Sequence, residues 1–322
     1  MQNNYVAIVT PFLDSGEIDF PSLNKLINHL IQNDIKGIVV GGTTGEGILL
    51  TDTEKSEMLQ YINNHFPDID VIGCYSSMAL YHYNANTYRY CDKILLSPQY
   101  FIKPNLQSKL DYFHKASNLL QQDDFLQKNI IIYNNPSRFS TIIDPELYDE
   151  LYKIKNIIGI KESGNIVDIT KYKKWQWFGG NDDELEDFMN IGFTGMISAV
   201  GNICPQMLAQ IQGEAQENTH KVSIESSHHI THNKPSAINT QIHKEQKQNI
   251  PQNSILQSEQ TLQLKRIQTW KHISQLVFSV PSPLFIKYYL YKTGIIQSYK
   301  TRFHIIDTQL ENVFAKVQSL CC

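Results

Sequence analysis

Asn156-Ile157-Ile158-Gly159-Ile160-Lys161-Glu162 is an apolar run that finishes in a lone ammonium. A strand buried on both faces gains no stability from such an ending, because burying an unpaired charge costs several kcal/mol. An amine held where water is scarce is more easily kept neutral, and a neutral amine attacks carbonyl carbon to form a Schiff base. The competing reading is a strand-end lysine that reaches out to solvent. What the rest of the chain builds around Lys161 decides between them.

Similar runs recur on both sides of it, at 5–10, 37–42, 70–75, 93–98, 129–134, 175–179 and 195–200. Each is short, rich in β-branched or aromatic residues, and continuous rather than alternating, as strands covered on both faces are. Between and after them lie helix-patterned segments at 22–33, 53–65, 79–90, 107–122, 145–153, 166–173, 182–191 and 205–216. Several open with helix-start residues: Thr51-Asp52-Thr53-Glu54, Asp144-Pro145-Glu146 and Asn181-Asp182. Eight strand–helix units within about 215 residues predict an α/β fold, a (β/α)8 TIM barrel, rather than an open doubly wound sheet. No GxGxxG follows the first strand, which disfavours the doubly wound alternative and nucleotide binding with it.

Composition is compatible with this and narrows function. The chain has 322 residues, 41% of them hydrophobic, and a net charge of -4, so nothing points to nucleic acid as a partner. No apolar run approaches the ~20 residues of a membrane span, and the beginning of the chain lacks the basic segment of a signal peptide. The five cysteines, Cys74, Cys91, Cys204, Cys321 and Cys322, are odd in number and irregularly spaced, which predicts reduced thiols in a cytoplasmic protein.

Barrel chemistry sits at the C-terminal ends of the strands. Those ends carry Thr10-Pro11, Gly41-Gly42-Thr43-Thr44-Gly45-Glu46, Pro98-Gln99-Tyr100, Tyr133-Asn134-Asn135-Pro136-Ser137-Arg138, Lys161-Glu162, Gly179-Gly180-Asn181-Asp182 and Ser198. An amine, two phenols, paired hydroxyls in a Gly-rich turn and an arginine thus share one rim, which favours the nucleophile reading of Lys161.

These strand ends resemble the dihydrodipicolinate synthase and N-acetylneuraminate lyase family of pyruvate-dependent class I aldolases. The resemblance is carried by Ala7-Ile8-Val9-Thr10-Pro11-Phe12, Gly42-Thr43-Thr44-Gly45-Glu46, Tyr133 to Arg138, Ile157 to Glu162, and Gly195-Met196-Ile197-Ser198 with Asn202. It implies that Lys161 forms an imine with pyruvate and that Thr44 holds the pyruvate carboxylate, for which glycines let main-chain N–H groups approach closely. It implies a catalytic Tyr133, with Thr43 and Tyr100 completing a proton relay whose third member comes from a neighbouring subunit. Gly180 and Ile197 would pack near bound pyruvate. Arg138 would grip the carboxylate of L-aspartate 4-semialdehyde as a bidentate pair. The implied product is 4-hydroxy-tetrahydrodipicolinate, on the route to lysine and diaminopimelate, with no metal and no organic cofactor. The implied assembly is a homo-oligomer, a dimer of dimers.

Some positions depart from the family. The loop Lys161-Glu162-Ser163-Gly164-Asn165 is one residue short, Phe139-Ser140 replaces small residues, and Gln99 stands where a second tyrosine is common. Phe139 and the short loop keep open the same imine chemistry on a sugar acid or other aldehyde, which Arg138 disfavours; a barrel that binds a keto acid without turnover is the other alternative, against which intact Thr43, Thr44, Tyr133 and Lys161 argue. Met78, His82, Asp52 and Lys55 occupy positions that carry other residues in lysine-inhibited members, which predicts weak or absent feedback by lysine.

The predicted organisation is a barrel over 1–216, a polar insertion over 217–258 and a C-terminal helical region over 259–322. The insertion has no glycine or aromatic residue, so it lacks the apolar area to offset its ordering entropy. His228-His229 with His232 invites a metal reading, but a fourth ligand and a carboxylate partner are missing. Helices are predicted over 262–280 and 284–293.

Overall fold

A computed structural model describes residues 3–122, 127–143, 145–164, 168–211, 213 and 252–321. Its eight strands are β1 (Asn3–Ala7), β2 (Gly37–Val40), β3 (Asp70–Tyr75), β4 (Lys93–Leu96), β5 (Asn129–Asn134), β6 (Ile157–Glu162), β7 (Gln176–Gly179) and β8 (Gly195–Ser198). They close into a barrel in chain order, and β8 pairs in parallel with β1. The predicted TIM barrel is therefore the observed fold.

Continuous apolar runs make sense in this arrangement because successive side chains enter different layers. In β5, Ile130 and Ile132 join the layer between barrel and helices, while Ile131 and Tyr133 point into the barrel with Val39, Ile72, Leu95, Phe178 and Ile197. Asn202 secures the seam between last and first strands: its Nδ2 donates to the Ala7 carbonyl at 2.8 Å and its Oδ1 accepts from Val9 N at 3.2 Å.

Helices start where the sequence places caps. Asp19 accepts from Ser22 N ahead of Phe20–Gln32, and Thr51 with Glu54 forms a reciprocal capping box ahead of Asp52–His65. One crossover differs. The helix predicted at 79–90 is only a 3-10 turn, Leu80–His82, followed by turns. Asn84 Oδ1 accepts from Asn86 N, and Tyr83 stacks on Tyr88 at 5.7 Å, so local side-chain bonds and aromatic packing outcompete a weak helix former. The segment predicted at 166–173 supplies only the 3-10 turn Ile169–Lys171 among its described residues.

After the barrel, a helix Gln252–Phe278 begins ten residues before the predicted position, inside the stretch read as insertion. Pro251 precedes it and no glycine or proline interrupts it, which suits a helix start there. The rest of that stretch, with His228, His229 and His232, lies outside the described residues. Leu284–Lys292 follows and is buried almost throughout, and Leu310–Cys321 packs over both. This packing brings Cys321 to Cys204, and the two form a disulfide across 117 residues. The expectation of reduced thiols is corrected for that pair, since sequence spacing carries no sign of the docking that brings them together; Cys74 and Cys91 are free and buried.

Candidate active site

Strand register sets the site. Tyr133 of β5 pairs with Lys161 of β6, and Lys161 pairs with Phe178 of β7, so the three stand at one level of the barrel's inner face. Lys161 is only 7% exposed, and its Nζ lies 4.6 Å from the centre of the Tyr133 ring. Among the described residues this amine has no hydrogen-bond or ion-pair partner, and it opens into a cavity of about 430 Å³.

That cavity brings together Thr43, Thr44, Tyr133, Arg138, Lys161 and Gly180. Gly180 must be glycine: a Cβ there would lie 2.0 Å from Ser163 Oγ and 3.0 Å from Lys161 Cε. The threonine turn is held from three sides. Thr10 Oγ1 donates to the Gly45 carbonyl at 2.6 Å, Glu46 N to Thr43 O at 3.1 Å and Ser76 Oγ to Gly41 O at 3.0 Å. Gly47 closes the turn, where a Cβ would fall 1.6 Å from Gly41 O.

Arg138 is exposed at the mouth on the short helix Pro136–Phe139. Asn135 caps this helix through Arg138 N at 3.1 Å and also donates to the Tyr133 hydroxyl at 3.3 Å. One side chain thereby fixes both the phenol and the arginine.

Tyr100 and Ile197 fall elsewhere. The Tyr100 hydroxyl donates to Ser76 O at 3.0 Å rather than to Thr43. Burial pushes Tyr100 up from the ordinary phenol value. It lines a second, mainly apolar cavity of about 370 Å³, which shares Gly42, Thr43, Tyr133 and Arg138 with the first and is walled by Phe139 and Phe303. Ile197 is fully buried in the barrel interior beside Tyr133 and Phe178 and does not line the cavity. Asp52, Lys55, Met78 and His82 line a third recess with Tyr75 and Tyr100.

Two buried carboxylates escaped the sequence reading. Glu162, next to Lys161, accepts from the Tyr148 hydroxyl, from Asn134 Nδ2 at 2.9 Å and from Gly164 N at 2.7 Å. Burial raises its carboxyl above the usual range against these bonds. Asp182 lines the cavity and accepts from Ser198 Oγ, Ala199 N and Val200 N. Burial raises it too, and Lys161 opposes that. Their signal in the sequence was an acidic residue at or shortly after a strand end, Glu162 closing β6 and Asp182 three residues beyond β7. Helix Gln252–Phe278 completes the wall with Ser274, Gln275 and Phe278, and Trp270 Nε1 donates to Asp182 O at 2.8 Å. Among the described residues no group of three or more His, Cys, Asp or Glu could hold a metal ion.

The closed barrel, and the family and relatives given next, place the molecule among class I aldolase-type lyases. The chain belongs to the dihydrodipicolinate synthetase family, whose profile matches residues 1–249. It is 36% identical over 212 residues to the 4-hydroxy-tetrahydrodipicolinate synthase of Wigglesworthia glossinidia brevipalpis, covering 62% of this chain and 68% of that one. Its fold is similar to the 4-hydroxy-tetrahydrodipicolinate synthase of Methylacidiphilum fumariolicum SolV, with TM-score 0.77, 21% identity, and coverage of 100% and 96%. It is also similar to the chloride-inhibited dihydrodipicolinate synthase of Acinetobacter baumannii complexed with pyruvate, with TM-score 0.75, 21% identity, and coverage of 99% and 98%. No helix among the described residues is long and apolar enough to cross a membrane.

Proposed function

We propose that the chain condenses pyruvate with L-aspartate 4-semialdehyde to give 4-hydroxy-tetrahydrodipicolinate, with Lys161 as the imine-forming residue. The observation that carries this reading is the unpartnered Lys161 amine, over Tyr133, in one cavity with Thr43, Thr44 and Arg138. The family and the named relative support the overall reaction.

In this reading the Lys161 amine attacks the ketone carbon of pyruvate, and loss of water leaves a protonated imine. The imine draws electrons from the methyl carbon, which loses a proton and becomes an enamine. The enamine carbon attacks the aldehyde, and the amine of the second substrate then displaces Lys161 as the ring closes. Thr44 and the glycine turn hold the keto-acid carboxylate. Tyr133 moves protons at the reacting oxygen, and Asn135 orients its hydroxyl. In the described structure Tyr133 and Tyr100 are not joined through Thr43, so the relay forms only when substrate or a second subunit bridges them. Gly180 leaves room for Lys161, and Ile197 backs the Tyr133 ring from within the barrel. Arg138 at the mouth binds the carboxylate of the incoming aldehyde.

The setting in this reading is the cytoplasm and the assembly a homo-oligomer, a dimer of dimers. Exposed Tyr81, Phe101 and Ile102 near Tyr100 support a covered surface there. The test is borohydride reduction with pyruvate, followed by peptide mass analysis and a turnover assay with aspartate semialdehyde beside sugar-acid substrates. A reduced adduct on Lys161 and turnover of the semialdehyde are expected. Absence of the adduct refutes the imine reading; turnover of the sugar acids alone moves the function to a related aldolase.

A further inference from the structure

Glu46 ends the turn that carries Thr43 and Thr44, yet its side chain points away from the cavity into a fully buried joint. Glu46 and Lys287 are both 0% exposed, and Lys287 Nζ lies 2.5 Å from Glu46 Oε1. The other oxygen, Oε2, accepts from Arg302 N at 2.6 Å and Phe303 N at 3.2 Å. Lys287 donates in addition to Lys300 O at 2.9 Å. Two cations lie against the Phe12 ring, with Lys287 Nζ at 4.1 Å and the Arg302 guanidinium at 4.3 Å from its centre. The ion pair thus joins residue 46 of the barrel mouth to residues 287–303 of the C-terminal region.

The backbone of Glu46 is left-handed, with φ of 54°. A side-chain-bearing residue adopts this conformation at a cost and keeps it only where its surroundings over-determine it. The buried carboxylate supplies that determination. Its N–H also closes onto Thr43 O at 3.1 Å, so a rotation at residue 46 passes directly into the threonines. The same carboxylate holds Phe303, whose ring walls the apolar cavity beside Thr43 and Tyr133. Burial pulls Lys287 down to about 8, and Glu46 opposes that. A structural tie needs none of this placement. An ion pair this deep is weak evidence for stability and better evidence for a specified geometry.

We propose that Glu46 and Lys287 are positioning residues, a buried ion pair through which the C-terminal region shapes the turn that receives the keto-acid carboxylate. This inference rests on the reading of residues 42–46 as the keto-acid site. It adds that the turn's affinity for substrate is set from the far end of the chain.

The variants Glu46→Asp, Glu46→Gln, Lys287→Met and the double variant Glu46→Gln/Lys287→Met test it, each read by melting temperature, kcat, KM for pyruvate and borohydride trapping. Glu46→Asp keeps the charge but withdraws it by one methylene, so the turn must move to restore the pair. Each single variant raises KM for pyruvate about tenfold, with a smaller fall in kcat, because a displacement of about 1 Å misplaces the bound keto acid. The double variant recovers most of the KM, since it leaves no unpaired buried charge and the amide oxygen that Glu46→Gln introduces still accepts from Arg302 N and Phe303 N. A merely structural tie lowers the melting temperature and leaves KM unchanged. Folded Glu46→Asp or Lys287→Met with KM within about twofold of the wild type overturns the inference, provided the wild type traps pyruvate. A wild type that traps no pyruvate overturns the site reading and this inference together. If the variants fail to fold, hydrogen exchange on the wild-type protein decides: trapping pyruvate must slow exchange of the Arg302 and Phe303 amides, and unchanged exchange there overturns the proposal.

Discussion

Two buried lysines divide this molecule by function. Lys161 and Lys287 are 7% and 0% exposed, and each lies over an aromatic ring. Lys287 donates to Glu46 and Lys300, whereas Lys161 has no hydrogen-bond partner among the described residues and faces the Tyr133 ring and an open cavity. Equal burial therefore carries opposite meaning. A buried ammonium paired with a buried carboxylate is held in place by that partner. One that faces a cavity without such a partner is free to meet a bound ligand, as the proposed imine requires.

Methionine in place of each lysine gives the largest and sharpest contrast. Lys161→Met abolishes the pyruvate adduct and lowers kcat about a thousandfold or more, while its melting temperature stays level or rises, because no hydrogen bond or ion pair of Lys161 among the described residues is lost. Lys287→Met leaves Glu46 without its cation and costs about 3–5 kcal/mol of stability, but the adduct on Lys161 still forms at saturating pyruvate. A denaturation series with trapping on both proteins checks this; equal losses of stability would erase the distinction.

Arg138→Ala should fall between the two. Loss of a charge-assisted pair raises KM for the semialdehyde about tenfold to a hundredfold. Trapping of pyruvate is unaffected, because Arg138 stands on the mouth and not on the threonine turn. Steady-state kinetics with each substrate varied in turn separates the effects; a shift confined to pyruvate would move Arg138 into the first half-reaction.

The smallest effect concerns Glu54, which Arg302 holds down at about 2 through their side-chain hydrogen bond. A carboxyl whose folded value is depressed stabilises the fold above its ordinary value of 4.5 and loses that contribution as pH falls toward about 2. Glu54→Gln is therefore less stable than the wild type at neutral pH, and the gap in melting temperature closes on acidification from 4.5. A gap that stays constant would remove Arg302 as the cause.

The barrel was legible because its strands are short, apolar and separated by segments long enough for a crossover. Asp70–Tyr75 and Asn129–Asn134 begin and end where the sequence pattern breaks. That Lys161, Tyr133, Thr43, Thr44, Arg138 and Gly180 line one cavity was legible for the same reason, since strand ends identify the mouth of a barrel; their roles come from the family resemblance and stand as the proposal. The segment at 79–90 was not, because tyrosines and asparagines can satisfy a helical spacing while preferring local turns. The Glu46–Lys287 pair was beyond reach for a different reason. Its members are 241 positions apart, and neither the strand-end pattern that picks out Glu46 nor the helical pattern around Lys287 shows that the two meet.

The joint at Glu46 also closes a loop through the chain. The turn that carries Thr43 and Thr44 is fixed by groups 241, 256 and 257 positions further on. Most strand pairs of the barrel form between neighbours in chain order. The mouth is therefore finished by a long-range contact, while the wall behind it is built from short-range ones.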